Sequence, residues 1–192
     1  MSNKYLIIGL GNIGAEYEGT RHNIGFDVLD CFAKEKKIDF NVERLAFYTQ
    51  TSLKGKKVIL IKPTTFMNLS GKALKHYADK ENIATENILV VTDDLALPLQ
   101  KARMRISGKH AGHNGLKNIE EVLGHNNYAR LRFGIGNAFK QGQQIDFVLG
   151  KWAKNEVPIK DKKVYNCSQA IEDFVLAGAP FAMNKLNALA FL

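Results

Sequence analysis

Four glycine-bordered stretches combine amide and imidazole side chains in a way that could do chemistry. They place Asn12 in "LGNIG", His22 with Asn23 in "GTRHNIGF", Asn68 in "FMNLSG" and His113 with Asn114 in "GHNGL". An imidazole at the start of a helix can cap it, help bind a phosphate, or act as a base, and "GTRHNIGF" alone leaves all three open. The apolar run "NILVVTDD" ends in Asp93 and Asp94. If it is a strand, its end could bring Asp93 close to His22, because loops at the carboxyl ends of α/β strands converge on one crevice. A carboxylate behind an imidazole fixes its tautomer and raises its basicity, so the ring can take a proton from water. Amide N–H groups nearby can stabilise charge developing on a carbonyl oxygen. Taken singly, each asparagine fits ordinary loop or cap chemistry. Together, in separate glycine-rich loops, they point to a hydrolytic site without a protein nucleophile.

Other chemistries lack their residues. There is no G-x-S-x-G, no H-E-x-x-H and no G-x-x-x-x-G-K-[ST]. Cys31 and Cys167 lie in helix-like segments without C-x-x-C spacing and are expected to be reduced, buried and structural. His76 and His125 fit surface positions.

The elements that must position these residues follow from periodicity. "YLIIGLG" (5–11) reads as a buried strand, and apolar spacing from Asn23 predicts an amphipathic helix to about residue 36. "LAFYTQTSL" and "KKVILIK" form a hairpin about Lys54-Gly55, and Ser70 is placed to cap a helix running to about residue 79. "NILVVTDD", "KARMRIS" and "YARLRFGIG" read as strands, with "HNGLKNIEEVLG" helical between the last two; the tail reads as helices over 155–177 and 180–189. In "KARMRIS", alternation puts Lys101, Arg103 and Arg105 on one face, and in "YARLRFGIG" it puts Arg130 and Arg132 outward. The pattern predicts a single α/β domain over residues 1–192, a twisted mixed β-sheet flanked by helices.

Gly9, Gly11 and Gly14 spell G-x-G-x-x-G after the first strand, the spacing of dinucleotide-binding turns. That turn needs a helix to begin at once, so that its N-terminus holds the pyrophosphate. Here "AEYEGTRHN" intervenes, and no acid ends a second strand about 20 residues on. The glycines are better suited to a tight turn beside a site.

Composition sets the partners. Of 192 residues, 45% are hydrophobic and 24% charged, as in a globular domain, and no apolar run is long enough to span a bilayer. The start has too short an apolar run for a signal peptide, so the cytoplasm is the expected compartment. A net charge of +8 suits a polyanionic partner, and equally a lysine-rich surface serving solubility.

Five blocks, "GLGNIGAEYEGTRHNIGF", "PTTFMNLSGKAL", "VVTDDLALP", "GKHAGHNGLKNI" and "RLRFGIGN", with "FVLGK" after them, resemble the signature blocks of bacterial peptidyl-tRNA hydrolases in order and spacing. The resemblance implies a monomeric enzyme that hydrolyses the ester joining a peptide to tRNA, without cofactor, metal, membrane or obligate protein partner. It implies His22 as general base, Asp93 as its supporting carboxylate, and Asn12 as the group that senses a blocked α-nitrogen. Asn68 and Asn114 would hold the peptide and the attacking water or oxyanion. Tyr17, Phe66, Met67 and His113 would line the cleft, while Arg105, Arg132 and Lys140 would grip phosphate. Ile13, Ala96, Lys109 and Ala111 depart from the family pattern, replacing a proline, an acidic residue and two glycines. Two rival readings are a nucleotide-cofactor enzyme and an RNA-binding module without catalysis.

Overall fold

The apolar and alternating runs emerge as seven strands: β1 (Lys4–Gly9), β2 (Asn41–Glu43), β3 (Ala46–Leu53), β4 (Lys56–Pro63), β5 (Ile88–Asp94), β6 (Ala102–Arg105) and β7 (Ala129–Gly134). The helical segments are α1 (Ile24–Lys36), α2 (Ser70–Glu81), α3 (Asn114–Leu123), α4 (Gln144–Val148), α5 (Val157–Ala177) and α6 (Ala179–Asn187). These come from a computed structural model that describes residues 3–192. The strands form one mixed sheet in the order β2-β3-β4-β1-β5-β7-β6. Neighbours from β4 to β7 run parallel, whereas β2, β3 and β6 are added antiparallel at the two edges.

Helices cover both faces, which is why the central strands are continuous apolar runs rather than alternating ones. Ile7 joins a core with Val28 and Phe32 of α1 and Phe174 of α5, while Leu6 and Ile8 face Leu74 of α2 and Ile119 of α3. The chain after β1 turns into α1 on the first face, and the chain after β5 passes through edge strand β6 and then α3 on the second before returning as β7. Adjacent strands whose connections leave on opposite faces open a crevice beyond their carboxyl ends.

Two glycines bring the first helix onto that crevice. A Cβ on Gly9 would meet the carbonyl oxygen of Gly25 at 2.3 Å, and one on Gly25 would meet Leu10 N at 2.4 Å and Val91 O at 2.6 Å. The backbone of α1 therefore rests directly on the ends of β1 and β5, and the turn before it, Arg21–Asn23, reaches Asp93 of β5 through His22 and Asn12 beyond β1 through Asn23. Close approach thus accounts for the first glycine of G-x-G-x-x-G, with no nucleotide required. Gly25→Ala is expected to destabilise the fold by about 3 kcal/mol, the upper range for overpacking. A denaturant midpoint within error of the parent would refute it.

The structure corrects several expectations. Arg130, predicted to point outward, is buried at 1% exposure: its guanidinium donates to Lys109 O (3.3 Å) and Asn126 O (3.2 Å) and stacks over Tyr128. Ser70 does not cap α2; it is the first helical residue, and its hydroxyl donates back to Met67 O at 2.7 Å. His76, His125 and Cys31 are half-buried rather than surface, surface and buried, and both cysteines are free. The short elements β2 and α4 go unpredicted.

Candidate active site

The turn Arg21–Asn23 is a single 3-10 turn, and its three side chains go three ways. His22 reaches Asp93, at the end of β5, through Nδ1, which lies 3.1 Å from Oδ1 and 3.0 Å from Oδ2. The ring nitrogen left over is Nε2. Asn23 turns under the end of β1, where its Oδ1 accepts from Asn12 N and its Nδ2 donates to Asn12 O, both at 2.8 Å. Asn12 is thereby held at both backbone groups. Its own Oδ1 accepts from Met67 N at 2.9 Å, so its Nδ2 is the end that remains available.

His113 also binds Asp93, with Nε2 2.9 Å from Oδ1. Its Nδ1 accepts from Gly115 N (3.1 Å) and Leu116 N (3.3 Å), capping α3. A nitrogen that accepts two backbone N–H groups bears no proton, so the proton of His113 sits on Nε2 and is donated to Asp93 or to Thr92 Oγ1, 2.9 Å away. His22, Asp93 and His113 offer three ligand atoms within 4.8 Å of one another, as a metal site would. A His113 Nε2 that carries the proton has no lone pair for a metal, and moving that proton to Nδ1 would set it against two N–H donors. The residues fit a hydrogen-bonded relay, not a metal centre.

Asp93 is 4% exposed and answered by two imidazoles. Burial alone would raise its pKa; the electrostatic pull of His22 and His113 and their hydrogen bonds more than reverse this and hold it well below the usual carboxylate range. For His22, burial pulls the pKa down, but the charge of Asp93 and its hydrogen bond leave it raised overall. The site therefore holds an ionised carboxylate behind a ring of enhanced basicity.

That ring opens onto two adjoining cavities of about 490 and 420 Å³. Asn12, Tyr17, Phe66, Met67 and Asn68 line the larger, Asp93 and His113 the smaller, and His22 and Asn114 both. The structure thus gathers nine of the twelve residues singled out in the sequence. Arg105, Arg132 and Lys140 lie outside these walls. Arg105 and Lys140 are exposed, but Arg132 is engaged by Asp94 through Nε. Asp94 also accepts from Ala96 N at 2.8 Å, so the backbone at the departed position 96 serves that pair. The sequence reading missed the part played by Asn23, the bond from His113 to Asp93, and the far wall, made by Ile145, Val148 and Leu149. "FVLGK" and the juxtaposition of His22 and Asn23 were the available signals.

The family model for peptidyl-tRNA hydrolase matches residues 6–191. The chain belongs to the peptidyl-tRNA hydrolase family. A peptidyl-tRNA hydrolase of Bacteroides fragilis is 52% identical over 184 residues, covering 96% of this chain and 98% of its own. One from Cytophaga hutchinsonii is 50% identical with the same coverage. The crystal structure of peptidyl-tRNA hydrolase from Acinetobacter baumannii superposes with a TM-score of 0.93 at 34% identity, covering 100% of this chain and 98% of that one. Membership agrees with the mixed sheet and with the order of its blocks. No helix among the described residues is long and apolar enough to cross a membrane.

Proposed function

We propose that this chain hydrolyses the ester between peptide and tRNA, with His22 as general base. The observation that carries the reading is the Asp93-backed His22, which lines a cleft together with Asn12. Nε2 takes a proton from water, and the resulting hydroxide attacks the ester carbonyl. The imidazolium then returns the proton to the departing ribose oxygen, leaving free tRNA and a peptide carboxylic acid that loses its remaining proton to solvent. Asp93 holds the Nδ1–H tautomer throughout and stabilises the transient imidazolium. Amide N–H groups of Asn68 and Asn114 would answer the developing oxyanion. Asn12 Nδ2 is a donor, which suits the carbonyl of a blocked α-nitrogen and has nothing to offer a free ammonium group.

One assay tests this: hydrolysis of N-blocked aminoacyl-tRNA beside the unblocked form. Only the blocked substrate should be cleaved. Equal rates would remove Asn12 from its role, and no cleavage would leave an RNA-binding module. Run across pH, the same assay reports His22. Only the neutral ring is a base, and its pKa is raised, so kcat should fall on acidification from a pH above the ordinary histidine value. A profile flat through the histidine range would contradict the assignment.

The basic residues suit the tRNA. RNA helices are held mainly through phosphate, 2′-hydroxyl and shape. Arg105 is exposed, whereas the charge of Arg132 is already answered by Asp94. Arg105→Ala is therefore expected to weaken tRNA binding and to lower the salt slope by about 0.7–0.9, one phosphate contact, more than Arg132→Ala does. The reverse order would place the phosphate contact on β7.

A further inference from the structure

Arg21, one residue before the proposed base, is 7% exposed, and nothing in the chemistry above uses it. Its backbone N–H donates to Gly150 O at 3.0 Å. Its Nη1 donates to Lys151 O and its Nη2 to Glu156 Oε2, each at 2.7 Å. The guanidinium lies 4.4 Å from the ring of Phe147 in α4 and 5.2 Å from that of Trp152. Glu156 is itself fixed, because the same oxygen accepts from Ala153 N at 2.8 Å. Thr20 adds a β-bridge to Lys151. Every one of these contacts falls on residues 147–156.

That segment continues directly from the far wall of the cleft. Ile145 and Val148 line both cavities and Leu149 the larger, while α4 has only five residues. So short a helix does not hold itself in water. It is preceded by an irregular stretch after β7 with Gly136 and Gly142 at positive φ, which meets it through the ring of Phe139 against Phe147. Downstream, Phe147, Val148 and Trp152 pack against the core, Trp152 edge-on to Phe133 of β7, and Arg21 supplies the polar tie to the turn that bears His22. A planar guanidinium with two engaged arms and an aromatic face against it is a rigid link that lysine does not reproduce.

The geometry points to Arg21 as a positioning residue for the reaction, one that clamps the apolar wall of residues 145–149 to the turn bearing His22 and so holds the cleft at its working width. The inference rests on the reading of His22 as the base facing that cleft. It also answers why arginine, histidine and asparagine stand in a row. Arg21 fixes one wall, Asn23 fixes Asn12 on the other, and His22 works between them.

The test compares Arg21→Met, Arg21→Lys and Glu156→Gln with the parent, all as the full chain, on N-blocked aminoacyl-tRNA. Arg21→Met should raise KM at least tenfold, since displacing a wall that positions substrate costs binding. The acid limb of the kcat–pH profile should stay where it is, because Asp93 and His113 are untouched. Amide exchange over residues 144–151 should quicken about tenfold while α2 and β5 stay protected, the mark of local opening. Arg21→Lys should resemble Arg21→Met, whereas Glu156→Gln, which keeps an acceptor for Nη2, should fall between it and the parent. If Arg21→Met does not fold, the lysine and glutamine variants carry the same readings. Faster exchange with unchanged KM would overturn the inference, since the wall would then be free of substrate. A shifted kcat–pH profile with unchanged KM would overturn it too, by making Arg21 act on the base. Because KM and exchange do not depend on which group removes the proton, failure of the His22 assignment would show separately, as an alanine variant at 22 with normal kcat.

Discussion

Replacing His22 by alanine is expected to lower kcat on N-blocked aminoacyl-tRNA by about 10²–10⁴, the usual contribution of a positioned general base, with KM nearly unchanged. The expectation rests on the division of labour within the ring. Nδ1 is committed to both oxygens of Asp93, at 3.1 and 3.0 Å, and only Nε2 is left to meet water. Alanine removes the base but leaves the walls: Asn12 is still held by Asn23 and Met67, and Phe147 and Lys151 next to the far wall by Arg21. Amide groups and a bound water would sustain residual hydrolysis, so activity falls without vanishing. His113 would not substitute, because its lone pair is spent on the N-terminus of α3 and its proton on Asp93 or Thr92. Steady-state kinetics on the two proteins would decide. A loss below tenfold would mean that water is activated elsewhere, and a raised KM with normal kcat would make His22 a binding residue.

The parts of this site that the sequence discloses are those that lie at the ends of strong local patterns. Asn12 and Asp93 each close an apolar run, and His22 opens an amphipathic one, so strand-end logic alone could bring them to one crevice. What the sequence withholds is contact through space. Asn23 reads as a helix-entry residue, yet its amide spans to Asn12. His113 reads as a cleft residue, yet it is a second donor to Asp93 and the cap of α3. Arg130 shows the limit of alternation most plainly. Period two tells which face a side chain takes, and Arg130 does share a face with Arg105, its partner across β6 and β7. It does not tell whether that face is covered; the carbonyls of Lys109 and Asn126 close over this one. The helix α4 escapes for a different reason. Five residues, "QIDFV", are too few to show a period.

Asp93→Asn is expected to lower kcat on the order of 10⁴, the cost of presenting a base in the wrong tautomer, and His113 is the reason. The carboxylate accepts from two N–H groups, His22 Nδ1 and His113 Nε2. His22 Nδ1 meets both oxygens while His113 meets only Oδ1, and an asparagine has one oxygen and one NH₂, so wherever its NH₂ falls one ring N–H meets a donor. His113 is not free to adapt, since Gly115 N and Leu116 N both donate to its Nδ1 and hold its proton on Nε2. The amide oxygen must therefore turn to His113, and its NH₂ to His22. His22 responds by accepting at Nδ1 and carrying its proton on Nε2, which leaves no lone pair toward the cleft. The same substitution also removes the charge that raises the His22 pKa, so whatever activity survives should show its acid limb at lower pH. A second change separates this account from simple loss of charge. In Asp93→Asn/His113→Ala nothing compels the amide oxygen away from His22, and the productive tautomer becomes available again. The double variant should be about tenfold faster than Asp93→Asn alone, although His113→Ala by itself is slower than the parent, a coupling of the kind that contacting residues show. A double variant no faster than the single one would mean that His113 does not dictate the tautomer, and that Asp93 acts through its charge alone.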